Sequence, residues 1–228
     1  MGKNTSPKTY MQGKESTIFI DFVRATGVIP LLIWKRPKVY YVGDKKKCFP
    51  KGGVLIASNH ITYTDPLLLY GVFWRRRLRF LATKELYKNN FIAFLFSAAG
   101  CIQVDKENFN MSFFRGVVDK LKKGGAIMIF PEGQINQEGK ILSYKLGAVL
   151  MAQLSGAPIQ PVYVTKREKF LHRNIALVGE PIDVCSMCSR FPTMDELAQV
   201  NEFIRKKELE LEEYYYTKIL NKGVEYAK

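Results

Sequence analysis

Apolar residues form two kinds of run that alternate along the chain from about residue 54 to residue 178. Short apolar runs bounded by glycine, proline or charged residues predict buried strands. Longer segments with apolar residues three and four positions apart predict amphipathic helices. The predicted strands are residues 54–57, 79–83, 101–104, 126–130, 159–164 and 175–178, and the predicted helices are residues 66–74, 85–98, 110–122 and 144–154.

Strands that alternate with helices of this length predict an α/β fold with a mainly parallel central sheet flanked by helices. The charged tail over residues 194–218 has spaced apolar residues and predicts a C-terminal amphipathic helix. We found no internal repeat and no Gly/Ser linker in the sequence. The expected division is a flexible N-terminus (residues 1–17), an N-terminal helical segment (residues 18–45) and one α/β domain (residues 46–228).

An apolar stretch, IFIDFVRATGVIPLLIW, occupies residues 18–34 near the start of the chain. It is short for a membrane span and contains Asp21, Arg24 and Pro30. The basic residues KRPK follow it, where a signal peptide would have a small-residue cleavage site. This arrangement is typical of a helix, or a bent helix pair, that lies in the surface of an anionic bilayer. A helix packed on the domain core is the alternative.

The charge of the chain also favours an anionic partner. There are 35 Lys and Arg against 21 Asp and Glu, a net charge of +14. Ten of the Lys and Arg residues and three of the Asp and Glu residues precede residue 51, so about half of the net positive charge lies in the first 50 residues. A basic segment of this kind binds phospholipid or nucleic acid. Because the sequence has no nucleic-acid recognition motif, we expect an anionic membrane surface and no nucleic acid.

Two short motifs have weaker implications. The start MGKNTS matches the N-myristoylation pattern, which matters only in a eukaryotic source. The segment CSMC at residues 185–188 has the spacing of half a zinc site, but no second pair follows it. Cys185 and Cys188 are therefore interpreted as a pair of free thiols in a reduced cytosolic protein, and no metal site is expected.

The stretch VLIASNHITYTDPLLL, residues 54–69, contains one of two histidines and joins a predicted strand to a predicted helix. On a continuous helix His60 and Asp65 would point about 140° apart. They can meet only if His60 lies in a turn and the helix begins near Asp65, which suits an N-cap before Pro66. An imidazole oriented by a carboxylate can remove a proton from a hydroxyl. The alternative is a helix cap beside an unrelated turn histidine.

The segment NHITYTD resembles the H-x-x-x-x-D signature of the glycerolipid acyltransferases, typified by lysophosphatidate acyltransferase. Three further segments resemble the family's other blocks and follow in the same order: GCIQVDK at residues 100–106, IFPEGQIN at residues 129–136 and APIQPVYV at residues 157–164. The resemblance covers roughly residues 50–180. An ordered set of four blocks is far more specific than any single one.

The resemblance implies a membrane-associated enzyme that transfers a fatty acyl group from acyl-CoA or acyl-carrier protein to the 2-hydroxyl of 1-acylglycerol-3-phosphate, giving phosphatidate in phospholipid biosynthesis. It implies that His60 is the general base, that Asp65 orients it, and that the hydroxyl attacks the thioester directly, without a cofactor. The expected location is the cytoplasmic face of a membrane, as a peripheral or monotopic protein. The expected substrate-binding residues are Lys84, Lys106, Glu132, Gly133 and Gln134.

These residue types suit the acceptor. Lys84 and Lys106 follow predicted strands and offer cations for a phosphate, although a solvated surface lysine is the alternative for each. The carboxylate of Glu132 can accept hydrogen bonds from glycerol hydroxyls. Gly133 allows main-chain amides to approach a ligand, and amides near it are candidate oxyanion donors.

The chain departs from the family pattern at two blocks. The third block often continues Thr-Arg-Ser after the glycine, whereas this chain has Gln134, Ile135 and Asn136. The second block has Lys106 where arginine is usual, which replaces a bidentate fork by a point charge. The acceptor could therefore be glycerol-3-phosphate, another lysophospholipid or an amino-acid lipid. A catalytically silent lipid-surface binding protein is the alternative from another class.

Overall fold

The computed structural model describes residues 21–22, 26, 30, 33, 37–48, 50–83, 88, 90, 93, 101–104, 111–138, 140–165 and 173–220. Most of the predicted helix over residues 85–98 and most of residues 18–36 lie outside the described residues, as do Lys84 and Lys106.

Seven strands and four α-helices have both of their ends within the described residues. The strands are β1 (Lys38–Tyr41), β2 (Val54–Ser58), β3 (Leu78–Thr83), β4 (Ile102–Val104), β5 (Ala126–Ile129), β6 (Ile159–Val164) and β7 (Ile175–Val178). The helices are α1 (Asp65–Val72), α2 (Met111–Lys122), α3 (Gly147–Ser155) and α4 (Met194–Tyr214); a 3-10 turn (Val184–Ser186) precedes α4, and a π-helical segment (Tyr215–Leu220) follows it.

The strands form one sheet in the order β1-β7-β6-β2-β5-β3-β4. Five described strand pairs are parallel, and β6 pairs antiparallel with β7. The predicted α/β fold with a mainly parallel sheet is therefore confirmed. Strand β2 lies at the centre, between β5 and β6, so the residues that follow it emerge in the middle of one edge of the sheet.

Strand β1 was not predicted from the sequence. It pairs with β7 at the edge of the sheet, with Lys38 opposite Ile175. Val39 packs on one face of the sheet and Tyr40 on the other, which is the period-two arrangement of a strand. The sheet therefore begins within the range 18–45 that was expected to be a membrane-associating helical segment. A four-residue edge strand whose partner lies about 137 residues away gives too short a pattern to be recognised.

Alternate residues of the central strands face two hydrophobic layers. On one face, Leu55 and Ala57 of β2 pack with buried residues of α2, α3 and α4; on the other, Val54 and Ile56 pack with buried residues of α1. The helical residues in these layers include Val117, Leu121, Ala148, Ala152, Val200 and Ile204 on the first face, and Leu68, Leu69 and Val72 on the second. Each fully buried aliphatic side chain contributes about 1.5–3 kcal/mol of transfer free energy.

The predicted C-terminal amphipathic helix is confirmed as α4. It begins with a capping box, in which the Thr193 side chain accepts from the Glu196 amide and the Glu196 carboxylate accepts from the Thr193 amide. Its inward face is apolar except for Asn201 and Glu208, which are both buried. Among the described residues, no helix combines the length and the apolar character that crossing a membrane requires.

Candidate active site

The predicted strand–turn–helix arrangement around His60 is confirmed. Strand β2 ends at Ser58, and α1 begins at Asp65 with Pro66 in its first turn. The parallel register of β2 and β5 places Ala57 opposite Ile129. The residues that follow these strands, including His60 and Glu132, therefore emerge side by side at the carboxyl edge of the sheet, where α/β proteins bind ligands.

Asp65 does not cap the helix, contrary to the sequence interpretation. The N-cap residue is Thr64, which makes no side-chain cap hydrogen bond. The Asp65 carboxylate instead faces back into the turn, where its Oδ2 accepts hydrogen bonds from the amides of Ile61 and Thr62, both at 2.7 Å. Its Oδ1 accepts a hydrogen bond from the Thr62 hydroxyl. The turn itself thus fixes the position of this carboxylate.

The His60 ring meets the same carboxylate. Nδ1 of His60 lies 3.1 Å from Oδ2 of Asp65, and the two side chains are 15% and 5% exposed. An ionised carboxylate can only accept, so Nδ1 carries the proton and the lone pair is on Nε2. The contact therefore selects the tautomer that a general base requires at Nε2.

Two residues of the third family block, IFPEGQIN (residues 129–136), hold the imidazole of His60 and its backbone in place. The ring of Phe130 stacks on the ring of His60, with centroids 3.8 Å apart and an interplanar angle of 11°. The amide of Asn136 donates to the carbonyl oxygen of His60 at 2.7 Å. Asn136, one of the residues that depart from the family pattern, thus supports the turn that carries His60 through its main chain.

Asn59 fastens the turn to the neighbouring strand β6. Its side-chain Nδ2 donates to the carbonyl oxygen of Val164 at 3.0 Å, and its Oδ1 accepts from the amide of Val164 at 2.8 Å. The side chain is buried, so these two bonds satisfy its polar atoms inside the protein. With Asp65 on one side and Val164 on the other, the turn has little freedom to move.

Glu132 is buried beneath the turn, with 5% of the residue exposed. Burial raises the pKa of its carboxyl to about 7, and the nearby backbone N–H groups of Leu142 and His60 act in the opposite direction. Its Oε2 has no hydrogen-bond partner within the described part of the chain. Contact with glycerol hydroxyls therefore stays a prediction, and the burial indicates support of the turn.

Gly133 has a left-handed backbone conformation, with φ of +72°, which glycine adopts without a steric cost. Its amide donates to the carbonyl oxygen of Phe130 at 3.0 Å. This amide is therefore occupied within the turn, and an oxyanion contact by other amides near Gly133 stays a prediction. Gln134, the next predicted substrate-binding residue, is exposed at the same turn. A contact between Gln134 and a substrate stays a prediction.

Sequence reasoning missed a buried acidic group that α4 contributes to the site. Glu208 is fully buried and accepts a hydrogen bond from the hydroxyl of Tyr144. Burial raises the pKa of its carboxyl well above the usual range, and the charges of Glu132 and Glu212 raise it further, while the Tyr144 hydroxyl and the nearby amide of Asn59 oppose the rise. Glu132 and Glu208 thus lie next to Asn59 and His60, two neighbouring residues of the turn that follows β2.

The opposite edge of the sheet has a different character. A cleft of about 780 Å³ opens where β3 and β5 begin. Arg76 in its wall donates to the carbonyl oxygen of Pro50 at 2.6 Å and to that of Gly52. The charged residues that line the cleft are Arg75, Arg76, Arg77, Arg79, Lys120 and Lys123 with Asp21 and Asp119.

Within the part of the chain that the structure describes, no group of three or more His, Cys, Asp and Glu side chains is arranged to hold a metal ion. The chemistry that the described site offers is proton removal at Nε2 of His60, with a fixed carboxylate to stabilise the imidazolium.

Comparison with known proteins gives the family. The family model described as Acyltransferase matches residues 39–165. The chain is 29% identical over 180 residues to a 1-acyl-sn-glycerol-3-phosphate acyltransferase of Bacillus subtilis, covering 77% of this chain and 87% of the relative. It is 27% identical over 158 residues to a protein of the same description from Borreliella burgdorferi, covering 68% of this chain and 63% of the relative.

The fold also matches a solved structure, the 1-acyl-sn-glycerophosphate acyltransferase of Thermotoga maritima. The TM-score is 0.63 at 21% identity, and the match covers 85% of this chain and 78% of the other. The matched range of the family model includes more than half of the chain and contains His60, Asp65 and Glu132. The chain therefore belongs to the acyltransferase family.

Proposed function

We propose that this protein transfers a fatty acyl group from acyl-CoA or acyl-carrier protein to the 2-hydroxyl of 1-acylglycerol-3-phosphate, giving phosphatidate. The observation that carries the proposal is the contact of His60 Nδ1 with Asp65 Oδ2, which leaves Nε2 as a base at the carboxyl edge of the sheet. The relatives described as 1-acyl-sn-glycerol-3-phosphate acyltransferases support the choice of acceptor.

In the proposed reaction, Nε2 of His60 removes the proton of the acceptor hydroxyl as the oxygen attacks the thioester carbonyl. Asp65 stabilises the imidazolium that forms. Collapse of the tetrahedral intermediate breaks the carbon–sulfur bond, and the imidazolium returns its proton to the departing thiolate. The products are an ester and a free thiol, and the acyl group is never attached to the enzyme.

The third block favours a second acceptor in one respect. Ile135 stands where the family pattern has an arginine, and an apolar side chain cannot bind a phosphate. A lysophospholipid with a different head group is therefore the second candidate. Both acceptors use the same chemistry at His60, so they are distinguished by binding and not by mechanism.

The proposal includes attachment to an anionic membrane surface at its cytoplasmic face, through residues 18–34 and their basic flank. Asp21 in that segment pairs with Arg77 at 2.6 Å, next to the start of β3. Because the sheet begins at Lys38, removal of residues 1–34 should release the protein from anionic vesicles and leave the domain folded. Undiminished sedimentation of the truncated protein with the vesicles would contradict this attachment.

The acceptor is tested by assaying the purified full chain with one acyl-CoA and a panel of acceptors. The panel contains lysophosphatidate, glycerol-3-phosphate, lysophosphatidylethanolamine and a monoacylglycerol, and His60→Ala serves as the inactive control. Lysophosphatidate should give the highest kcat/KM. A higher value for another acceptor would replace lysophosphatidate, and equal rates for the wild type and His60→Ala would contradict the proposed chemistry.

A further inference from the structure

A lysine lies over the glycine of the third block. A Cβ atom built on Gly133 would be 2.8 Å from Cε of Lys145 and 2.8 Å from its Nζ. A side chain at this position would displace the flexible end of the lysine, so the lack of a Cβ atom at Gly133 leaves the space that Cε and Nζ of Lys145 occupy. The ammonium group of Lys145 is therefore located at the Pro131-Glu132-Gly133 turn, beside the turn that carries His60.

The main chain holds Lys145 at this position. The amide of Lys145 donates to the carbonyl oxygen of Pro131 at 3.0 Å. Helix α3 consequently begins at Gly147 and not at residue 144, where the sequence pattern predicted its start. The preceding Tyr144 is fixed by its buried contact with Glu208. The position of Lys145 is thus fixed on both sides, by its own amide on Pro131 and by the buried contact of the adjacent Tyr144 with Glu208.

The charge of Lys145 is not neutralised by the described residues. Its residue is exposed, and none of the described carboxylates forms an ion pair with its Nζ within 4.0 Å. Glu132 is the carboxyl of the same turn, but it is buried and its pKa is raised to about 7, so it is partly neutral near pH 7. An ammonium group in this setting is available to an anionic ligand.

The chemistry of the proposed acceptor indicates which anion Lys145 would bind. The family pattern has an arginine at the position of Ile135, two residues beyond Gly133, and this chain lacks that cation. We propose that Lys145 binds the phosphate of the acceptor and supplies, from the segment before α3, the positive charge that Ile135 cannot. This inference rests on the proposed function, because it assumes an acceptor that carries a phosphate.

The experiment compares Lys145→Met with Lys145→Arg and with Lys140→Met, which removes an exposed lysine from the same loop. The acceptors are lysophosphatidate and the uncharged monoacylglycerol. Loss of a charge-assisted hydrogen bond corresponds to about a 10- to 100-fold weaker interaction. Lys145→Met should therefore raise the KM for lysophosphatidate by about this factor and change the KM for acyl-CoA by less than about twofold. It should leave the KM for monoacylglycerol unchanged.

Lys145→Arg should restore most of the affinity for lysophosphatidate, because guanidinium also binds phosphate. Lys140→Met should behave like the wild type. Equal losses for both acceptors, or for donor and acceptor together, would indicate a structural role and overturn the inference. An unchanged KM for lysophosphatidate in Lys145→Met would also overturn it.

Calorimetric titration with a short-chain lysophosphatidate separates this inference from the function on which it rests. Binding by the wild type that weakens in Lys145→Met supports the inference without reference to turnover. Binding of equal strength in both proteins overturns the role of Lys145 and leaves the proposed acceptor intact. If the wild type binds no lysophosphatidate, the proposed acceptor is wrong and the inference fails with it.

Discussion

The two edges of the central sheet carry opposite chemistry. At the carboxyl edge, the charged or ionisable side chains of Asp65, Glu132 and Glu208 are buried, and Asp65 is held by two main-chain amides. At the amino edge, arginines and lysines line an open cleft. There Arg77 pairs with Asp21 through side chains that are about half exposed.

This difference predicts how each edge responds to substitution. A buried polar group without its partner costs the full desolvation free energy, and a small displacement disturbs the groups bonded to it. Exposed charges act through a field that water and salt screen. Substitutions at the carboxyl edge should therefore change chemistry or folding, and substitutions of the lysines in the wall of the amino-edge cleft should change mainly salt-dependent behaviour.

The largest effect is expected for His60→Ala. Positioned general-base catalysis is worth about 10²–10⁴ in rate, so kcat should fall by this factor. The KM for the acceptor should change little, because the proton is in transit only near the transition state. Steady-state kinetics with thermal melting as a control for folding would check this. A folded His60→Ala protein with normal kcat would show that His60 is not the base.

The next effect is expected for Asp65→Asn. Nδ1–H of His60 and the amides of Ile61 and Thr62 all donate to one oxygen of Asp65, so the carboxamide oxygen should take that place. The carboxamide NH₂ can then donate to the Thr62 hydroxyl. The turn and the His60 tautomer should survive this substitution. Any fall in kcat should therefore measure the effect of removing the negative charge of Asp65. We expect kcat to fall about 10- to 100-fold, less than for His60→Ala. Near-normal turnover would reduce Asp65 to a structural residue.

A smaller effect, on stability, is expected for Glu132→Gln. The pKa of Glu132 is raised from 4.5 to about 7 by burial, so the folded protein keeps a proton that the unfolded chain releases. This contribution to stability is lost as the pH rises from about 4.5 to about 7. Glutamine avoids that loss, so Glu132→Gln should melt at a higher temperature than the wild type at pH 8.

The advantage of Glu132→Gln should shrink towards pH 5. Each kcal/mol of ionisation cost corresponds to about 2–4 °C in Tm. The exposed Glu138→Gln serves as the matched control and should show no such pH dependence. A constant difference in Tm between wild type and Glu132→Gln from pH 5 to pH 8 would contradict the buried-carboxyl account.

The smallest effect is expected at the amino edge. Lys120→Gln combined with Lys123→Gln removes two cations from the cleft wall. With a dispersed short-chain acceptor, kcat should stay within about twofold of the wild type, because screened charges at the far edge do not reach the reacting atoms. Binding to anionic vesicles should weaken, and the difference should vanish at high salt. A large loss of kcat in this variant would contradict the separation of the two edges.

Much of the fold could be predicted because its core strands are local patterns. The apolar run at β2, with turn residues on either side, predicts the bounds of that strand to within one residue. The predicted and observed bounds of β6 are the same. The predicted start of α3 at residue 144 was wrong, because the amide of Lys145 donates a hydrogen bond to the carbonyl oxygen of Pro131 and not to a carbonyl of its own helix. Edge strand β1 was missed because its pattern is only four residues long.

The site could be predicted only where spacing within one segment determines geometry. His60 and Asp65 are five residues apart, and a turn followed by a helix is enough to bring them together. Phe130, Lys145 and Glu208 come from other segments, and only the folded chain brings them to the site. The burial of Glu208 could not be predicted from the sequence, because a charged residue in an amphipathic helix normally faces water.

The central claim is that the acceptor hydroxyl, activated by His60, attacks the donor directly. Rapid mixing of the enzyme with radiolabelled acyl-CoA, quenched in acid with and without lysophosphatidate, tests it most directly. Without acceptor, no label should remain on the denatured protein; with acceptor, labelled phosphatidate should form in the first turnover, and His60→Ala should form almost none. A stoichiometric burst of label on the protein before any product appears would contradict the account, because it would require an acyl-enzyme.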